Sequence, residues 1–256
     1  MARRTIAIAA VEGGMATRVG RATSVGFLLA MFLLPNGALA APPVSTVSTA
    51  PYYFPTTGHY LSGRFRQYWE GNGGLYVFGL PLTSVYDETA ADGKVYKTQY
   101  FERARFEYHP QNAQPYDVLL TLIGTEITAQ RQAEPPFAPT PARDDFGYRY
   151  AAVTQHNLHG GFLDFWQRYG GVQTFGYPLS EEFPEVSATN GKPYTVQYFE
   201  RTRFEYHPEY AGSDAEISLG LIGLARLNRV GVPGAARAPE TSPPTGNTIP
   251  GGRLGQ

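Results

Sequence analysis

The sequence predicts an α+β protein built from two tandem homologous small domains. The main observation is an uncommon string, QYFERARFEYHP at residues 99–110, which returns at residues 197–208 with Ala104 replaced by Thr202. In addition, apolar residues at helical spacing precede each string, and β-prone aromatic residues fill it. Because internal repetition of this kind marks a duplicated folding unit, we expect each copy to contain a helix, a Gly-Pro turn, a β-hairpin and a closing helix.

The correspondence extends over the whole of each copy. A set of residues returns in the same order and spacing: His59, Leu61, Gly63, Phe65 and Trp69 match His156, Leu158, Gly160, Phe162 and Trp166. Single-residue insertions in loops then shift the register slightly, so that Leu122 matches Leu221. We therefore predict repeat domains at residues 52–130 and 147–230.

The first predicted element of each copy is a short amphipathic helix. Apolar side chains recur at helical spacing from Leu61 to Trp69, and Gly73 follows where a left-handed C-cap residue is favoured. The spacing predicts a helix over residues 61–72 and an equivalent helix that ends before Gly170 in the second copy. Trp69 continues the apolar stripe, which favours a role as a core anchor.

A tight turn and an antiparallel hairpin follow the helix. Gly79 and Pro81 cannot continue a helix, and together they suit a packed turn. The β-prone residues 95–101 and 104–109 predict a hairpin that turns at residues 102–103. The predicted register places the following side chains on one face, which we call the hairpin face: Tyr96, Tyr100, Arg105, Glu107 and His109 in the first copy, and Tyr194, Tyr198, Arg203, Glu205 and His207 in the second.

An apolar segment closes each copy. Its pattern around Leu122 and Ile123, and around Leu221 and Ile222 in the second copy, predicts a closing helix. Glycines within the segment lower the helix propensity, so a strand stays the alternative at this place.

The chain begins with the features of a secretory signal peptide. Arginines precede an apolar run at residues 25–34, and Ala38-Leu39-Ala40 provides the small residues that a signal peptidase requires. The run is shorter than the ~20 apolar residues that span a bilayer, and no later segment approaches that length. We therefore expect residues 1–40 to be a signal peptide, with Met1 and Met15 as alternative starts. The mature protein is expected to be secreted or held at the cell surface, without a membrane span.

Three segments outside the repeats have the composition of linkers. Residues 41–51 form a Pro/Ser/Thr tether and residues 131–146 a Pro-rich linker, and both are expected to be extended and solvated. Residues 231–256 lack the apolar content that offsets the entropy of ordering, so we expect a disordered tail.

Composition excludes several classes of function. The formal net charge is −1, and removal of the arginine-rich leader makes the rest more acidic, which argues against nucleic acid as a partner. The chain has no cysteine, which excludes disulfides and thiolate metal sites. The histidines show no metal-ligand spacing, and the sequence contains no HExxH, GxSxG or phosphate-binding glycine motif. The sequence therefore predicts no cofactor and no metal site, and it provides no specific reason to propose an enzyme.

The hairpin face admits three interpretations. Opposed charges across strands normally form exposed ion pairs that contribute ~1 kcal/mol or less each. Alternatively, the tyrosines and charged groups of each copy form a polar-aromatic platform that binds a sugar or a peptide.

The third interpretation is catalytic. A glycosidase needs two carboxylates ~5–9.5 Å apart, one of them protonated. On a hairpin, Glu102 and Glu107, or Glu200 and Glu205, could approach such a distance, but the neighbouring arginines are expected to keep them ionised. We therefore favour a non-catalytic protein that binds a glycan through both copies. A structural or protein-binding surface component and an envelope hydrolase are the alternatives.

One part of each copy resembles a known family. Gly-Leu-Pro at residues 79–81 and Gly-Tyr-Pro at residues 176–178 are each followed by a glycine turn and by Gln-Tyr-Phe-Glu. This order resembles the LGFP repeat of bacterial cell-envelope proteins. The copies depart from the family pattern where Phe78 replaces a leucine and Arg103 replaces a glycine. The resemblance implies attachment to the bacterial cell wall or organisation of it, with a polysaccharide or another surface protein as the partner.

Overall fold

The structure is a computed structural model that describes residues 48–187 and 189–243, all of which belong to one compact unit. The predicted signal peptide, most of the predicted tether and the last part of the predicted tail lie outside the described residues. Helices and antiparallel strands alternate in the same order in both copies, which confirms the predicted α+β class with two similar halves.

The first copy contains two strand systems and three helices among the described residues. Its elements are β1 (Tyr52–Phe54), β2 (His59–Leu61), α1 (Gly63–Gly71), α2 (Gly74–Phe78), β3 (Tyr86–Thr89), β4 (Val95–Tyr100), β5 (Arg105–Tyr108), β6 (Val118–Leu120) and α3 (Ile123–Thr128). Strands β1 and β2 pair as a hairpin, and β3 to β6 form a 4-stranded antiparallel sheet in sequence order.

The second copy repeats this order. Its elements are β7 (Tyr148–Ala151), β8 (His156–His159), α4 (Gly160–Arg168), α5 (Gly171–Phe175), β9 (Phe183–Val186), β10 (Pro193–Tyr198), β11 (Arg203–Tyr206), β12 (Ile217–Leu219) and α6 (Ile222–Val230), and the short α7 (Gly234–Arg237) follows. Strands β9 to β12 form the second 4-stranded sheet.

The first helix of each copy ends where the sequence predicts its end, and a second short helix follows it. Helix α1 stops before Gly73, which has a φ of 102° that a side chain would oppose, and Gly170 has a φ of 108° in the second copy. The chain then forms α2 or α5 before the Gly-Pro turn, which the spacing of apolar residues did not predict. The closing segment combines both predicted alternatives, because β6 comes first and α3 follows it.

The predicted hairpin register is confirmed. Tyr100 lies opposite Arg105 across β4 and β5, and Tyr198 lies opposite Arg203 across β10 and β11. The amide of Phe101 donates to the carbonyl oxygen of Ala104 (2.8 Å), which places the turn at the predicted residues.

The two copies share one hydrophobic core. It includes fully buried phenylalanines from each half, namely Phe65, Phe78, Phe101 and Phe106 with their counterparts Phe162, Phe175, Phe199 and Phe204. Many of these rings meet edge to face, as Phe78 and Phe106 do with centroids 4.9 Å apart. The predicted repeat domains at residues 52–130 and 147–230 therefore lie in one compact unit with a common core.

The closing helices are exchanged between the copies. Helix α3 follows the first sheet, yet Ile127 packs against Tyr198 of the second sheet, and the amide of Thr125 donates to the carbonyl oxygen of Glu200 (3.2 Å). In return, Leu227 of α6 packs against Tyr100 of the first sheet. Gly124 and its counterpart Gly223 permit this approach, because a Cβ atom at either place would collide with a carbonyl oxygen of the opposite hairpin turn.

The Pro-rich linker is folded onto the second copy. Phe137 is buried in the cluster with Tyr198, and the carbonyl oxygen of Pro136 accepts a hydrogen bond from the Glu181 amide (2.8 Å). The expectation of a solvated linker at residues 131–146 is therefore wrong. Proline-rich composition predicts extended backbone, but it does not show whether a sheet nearby will cover that backbone.

The beginning of the tail packs in the equivalent way on the first copy. Ala236 is buried, its carbonyl oxygen accepts from the Ser84 amide (2.8 Å), and the Glu240 carboxylate accepts from the Tyr60 amide (2.9 Å). Disorder is therefore the wrong prediction for residues 231–243, because hydrogen bonds to the first copy compensate for the low apolar content. Residues 244–256 lie outside the described part of the chain.

Candidate functional site

The hairpin face is covered and is not an open platform. Tyr100 and Tyr198 are 0% and 5% exposed, because α6 and the tail lie over the first and α3 and the linker lie over the second. The ten predicted site residues do come together as the register predicted, but as packed side chains that are buried or half-buried: Tyr96, Tyr100, Arg105, Glu107 and His109 in one copy, and Tyr194, Tyr198, Arg203, Glu205 and His207 in the other.

The charged members of the hairpin face are paired within the protein. Arg105 donates to the Tyr100 hydroxyl (3.1 Å) and to Glu126 of α3 (2.9 Å). In the second copy Arg203 contacts Glu205 and Glu185. Burial raises the pKa of the Tyr100 hydroxyl, although Arg105 lowers it, so this phenol stays neutral at physiological pH.

The histidines of the hairpin face also have structural partners. The rings of Tyr96 and His109 stack with centroids 3.9 Å apart, and His109 lies 3.1 Å from Glu107. His207 stacks on Tyr194 at 4.0 Å in the same way. Both histidines therefore have a structural role, and each also makes a side-chain hydrogen bond, His109 with Glu107 and His207 with Ser218.

Most polar side chains of the repeated string make hydrogen bonds that stabilise the fold. The Gln99 amide group donates to the carbonyl oxygens of Tyr60 (2.9 Å) and Thr83 (2.8 Å), which holds β2 against the sheet. Glu102 accepts from the Leu80 amide (3.0 Å) and so fastens the Gly-Pro turn. Glu102 is therefore engaged as a backbone acceptor in this turn.

Arg103 and its counterpart Arg201 join the two copies. The Arg103 side chain donates to the carbonyl oxygen of Leu219 in the second sheet (3.0 Å), and Arg201 donates to that of Leu120 in the first sheet (3.0 Å). The string therefore repeats because each copy needs the same internal bonds and the same bridge to the other copy.

Two open grooves lie between the copies on the surface. Groove A has a volume of about 320 Å³, and its aromatic and polar lining residues are Tyr68, Asn72, Tyr116, Gln173, Thr174 and Arg201. Groove B has a volume of about 290 Å³, and its corresponding residues are Tyr76, Asp164, Phe165, Arg168, Tyr169, Ser213, Asp214 and Glu216. Each groove takes residues from both halves of the chain.

The grooves are counterparts of each other. Val118 of β6 lines groove A, and the matching Ile217 of β12 lines groove B. Likewise α5 contributes Gln173 to groove A where α2 contributes Tyr76 to groove B. A duplicated chain therefore presents an equivalent concave surface twice, and the two differ in their side chains.

Groove A combines an exposed aromatic ring with amide side chains. Tyr116 is 57% exposed, Tyr68 forms a second, partly buried ring in the same groove, and the amide side chains of Asn72 and Gln173 are exposed. An amide offers both donors and an acceptor, which is the set that sugar hydroxyls require.

Groove B is more charged. Tyr76 packs against Tyr169 with ring centroids 5.4 Å apart, and its hydroxyl donates to the carbonyl oxygen of Ile217 (2.9 Å). Burial raises the pKa of Tyr76 to about 12, so the hydroxyl keeps its proton. Asp164 and Arg168 are exposed at the rim of the groove.

Sequence reasoning missed both grooves. Tyr116 and Tyr76 lie outside the hairpin face, which is where the sequence placed the candidate site. Grooves between the copies depend on how the copies pack, and no local pattern in the sequence reports that packing.

The part of the chain that the structure describes contains no cluster of metal ligands and no helix that could span a membrane. No group of three or more His, Cys, Asp or Glu residues in that part is arranged to hold a metal ion. Within residues 48–187 and 189–243, no helix combines the length and the apolar character needed to cross a bilayer.

Comparison with known proteins yields no relative. No protein-family model, no curated protein and no solved structure matches this chain. The resemblance to LGFP repeats stays a prediction, and function has to be argued from the grooves themselves.

Proposed function

We propose that this chain is a non-catalytic glycan-binding protein of the bacterial cell envelope or its surroundings, and that it holds polysaccharide in grooves A and B. The observation that carries the proposal is the exposed Tyr116 beside the amide side chains of Asn72 and Gln173 in an open groove. Aromatic faces cover the C–H surfaces of sugars, and fixed amides orient the hydroxyls.

The charge of the grooves supports a neutral or amino sugar polymer as the ligand. Groove B carries Asp164, Asp214 and Glu216 against Arg168 alone among its charged lining residues, so it disfavours polyanions such as nucleic acids. Ordinary glycan sites are shallow, and both grooves are open on one side to the solvent.

The arrangement of two grooves on one compact unit favours binding to a polymer. Because the copies share a core, the distance between the grooves is fixed, and a chain that reaches both binds the second with little further loss of freedom. The predicted signal peptide supports an extracellular location for such a ligand.

The test is a binding assay with the full chain on insoluble peptidoglycan and a panel of polysaccharides, followed by titration calorimetry on those retained. Tyr116→Ala should weaken binding by about tenfold, equivalent to ~1.4 kcal/mol. Tyr52→Ala is the matched control, because Tyr52 is 53% exposed and lies outside both grooves.

The outcomes separate the alternatives. Retention that Tyr116→Ala weakens and Tyr52→Ala preserves supports the proposal. Release of reducing ends during incubation would replace it with hydrolysis. Retention on no glycan, or equal retention of both variants, would overturn it and leave a protein partner as the alternative.

A further inference from the structure

A third cavity lies where α3 and α6 meet the covered face of the first sheet. Its volume is about 550 Å³, and it is separate from grooves A and B. The charged side chains that line it are Glu88, Arg105, Glu107, Glu126, Arg226 and Arg229. We call it the charged pocket.

In the second copy, an arginine side chain occupies the place that is equivalent to the charged pocket. Arg131 extends from the linker and contacts Glu185 of β9 (2.8 Å). Its guanidinium lies over the rings of Phe137 (4.7 Å) and Tyr198 (5.1 Å). Glu185 also accepts from Arg203 (2.8 Å) and from the Tyr198 hydroxyl (2.8 Å), so its carboxylate is fully engaged.

Glu88 is the counterpart of Glu185. Glu88 lies opposite Tyr96 across β3 and β4, and Glu185 lies opposite the matching Tyr194 across β9 and β10. The two carboxylates therefore occupy the same place on equivalent sheets.

The first copy has no arginine at the position that corresponds to Arg131. When α3 and α6 are matched from their first residues, Ile123 and Ile222, the counterpart of Arg131 is Val230, which lines the charged pocket. Val230 cannot pair with a carboxylate. The pocket is open where its equivalent in the other copy receives a guanidinium.

Glu88 consequently lacks the partners that Glu185 has. Its closest arginine contact is Arg105 at 3.8 Å, beyond hydrogen-bond distance. Its Oε2 atom is buried, and the hydroxyl of Tyr86 is the neutral hydrogen-bonding group beside this carboxylate. Burial raises the pKa of this carboxyl, which reflects a charge without adequate compensation.

The arginines of the pocket each have another partner, although the Nη1 atom of Arg226 is buried and makes no hydrogen bond within the described residues. Arg105 donates to Glu126 (2.9 Å), and Arg226 pairs with the other oxygen of the same carboxylate. Arg229 donates to the carbonyl oxygen of Ile127 (3.3 Å). Glu88 and Glu107 both lie beyond hydrogen-bond distance of Arg105, at 3.8 and 3.7 Å. Glu107 has His109 at 3.1 Å, which leaves Glu88 without a hydrogen-bonded basic side chain.

We propose that the charged pocket binds one guanidinium group, carried by an arginine side chain of a peptide or by a small guanidine, with the Glu88 carboxylate as its partner. A guanidinium is planar, weakly hydrated and able to lie over aromatic rings, as Arg131 does in the second copy, whereas an ammonium is compact and strongly hydrated. The inference is independent of glycan binding, because the pocket and the grooves share no residue used in either argument.

The experiment uses the full chain and calorimetric titration with N-acetyl-arginine amide, whose charge is confined to the side chain. Saturable binding is expected, with N-acetyl-lysine amide at least about fivefold weaker. Glu88→Gln should weaken arginine binding by at least about tenfold. Glu185→Gln is the matched control in the second copy and should leave the affinity unchanged.

A second variant tests the inference from the opposite direction. Val230→Arg supplies at the first copy the cation that Arg131 supplies at the second, so it should abolish binding of the arginine probe and raise the melting temperature. A properly folded variant that still binds the probe as the wild type does would contradict the assignment.

Two further probes identify the source of the group. Methylguanidine that binds as tightly as Ac-Gly-Arg-Gly-amide supports a small guanidine, and a peptide that binds at least about tenfold more tightly supports an arginine side chain. Failure of every guanidinium probe to bind the wild type, or equal binding of arginine and lysine, would overturn the inference.

Discussion

Replacement of Leu227 by alanine tests the exchange of closing helices directly. Leu227 belongs to the second copy by sequence, but it is 1% exposed and packs against Tyr86 and Tyr100 of the first sheet. Truncation of a buried leucine to alanine costs about 2–5 kcal/mol. For a chain of this size, ~3 kcal/mol lowers the melting temperature by about 6–12 °C.

The assay distinguishes shared from separate folding. The chain has two tryptophans, Trp69 in the first copy and Trp166 in the second, so single-tryptophan variants report on each half. Because the copies share a core, Leu227→Ala should shift both fluorescence transitions together. Leu75→Ala, at a residue that is 54% exposed, is the control and should change the melting temperature little. A shift below about 2 °C would refute the packing, and two separate transitions would refute the shared core.

Three other changes test different contacts. Gly124→Ala should lower the melting temperature strongly, because its Cβ would collide with the Phe199 carbonyl oxygen, whereas Gly71→Ala meets no atom within 4 Å and should not; equal melting temperatures would contradict the close approach. Ending the chain at Val230 should lower thermal stability, since the tail hydrogen-bonds to the first copy, and unchanged unfolding would show that those bonds contribute nothing. Burial raises the pKa of Glu88, so the folded chain holds this proton more tightly and loses stability as pH rises from ~4.3 through the raised pKa. Glu88→Gln should therefore raise the melting temperature at pH 7 more than at pH 4, and a difference that does not vary with pH would contradict this.

Local patterns predicted what depends on neighbours in sequence. The hairpin register, with Tyr100 opposite Arg105, follows from strand alternation and a short turn, and the structure has it. The break at Gly73 was also predicted, because its backbone conformation disfavours a side chain. These features need no knowledge of the rest of the fold.

What the sequence did not reveal is which surfaces meet. The hairpin face carries charged residues and tyrosines, so it was expected to face solvent, yet α6 and the tail cover it because Leu227 and Ala236 cross from the other copy. Phe137 is an isolated aromatic residue in a proline-rich linker, and hydrophobic periodicity cannot predict that a single residue of this kind is buried. The grooves depend on the same exchange of closing segments between the copies, so the sequence alone did not predict them either.

The exchange also explains how a duplicated chain acquires a site that occurs once. Each closing segment covers the sheet of the other copy, so the two covered faces are completed by different stretches of sequence. The second face receives Arg131 and is filled, whereas the first receives Val230 and keeps an open pocket beside Glu88. The residues of the two sheets are alike because both pack in the shared core, whereas the covering segments differ at Arg131 and Val230. Within the described residues, a difference in the covering segments therefore distinguishes the two covered faces, while the hairpins beneath them stay equivalent.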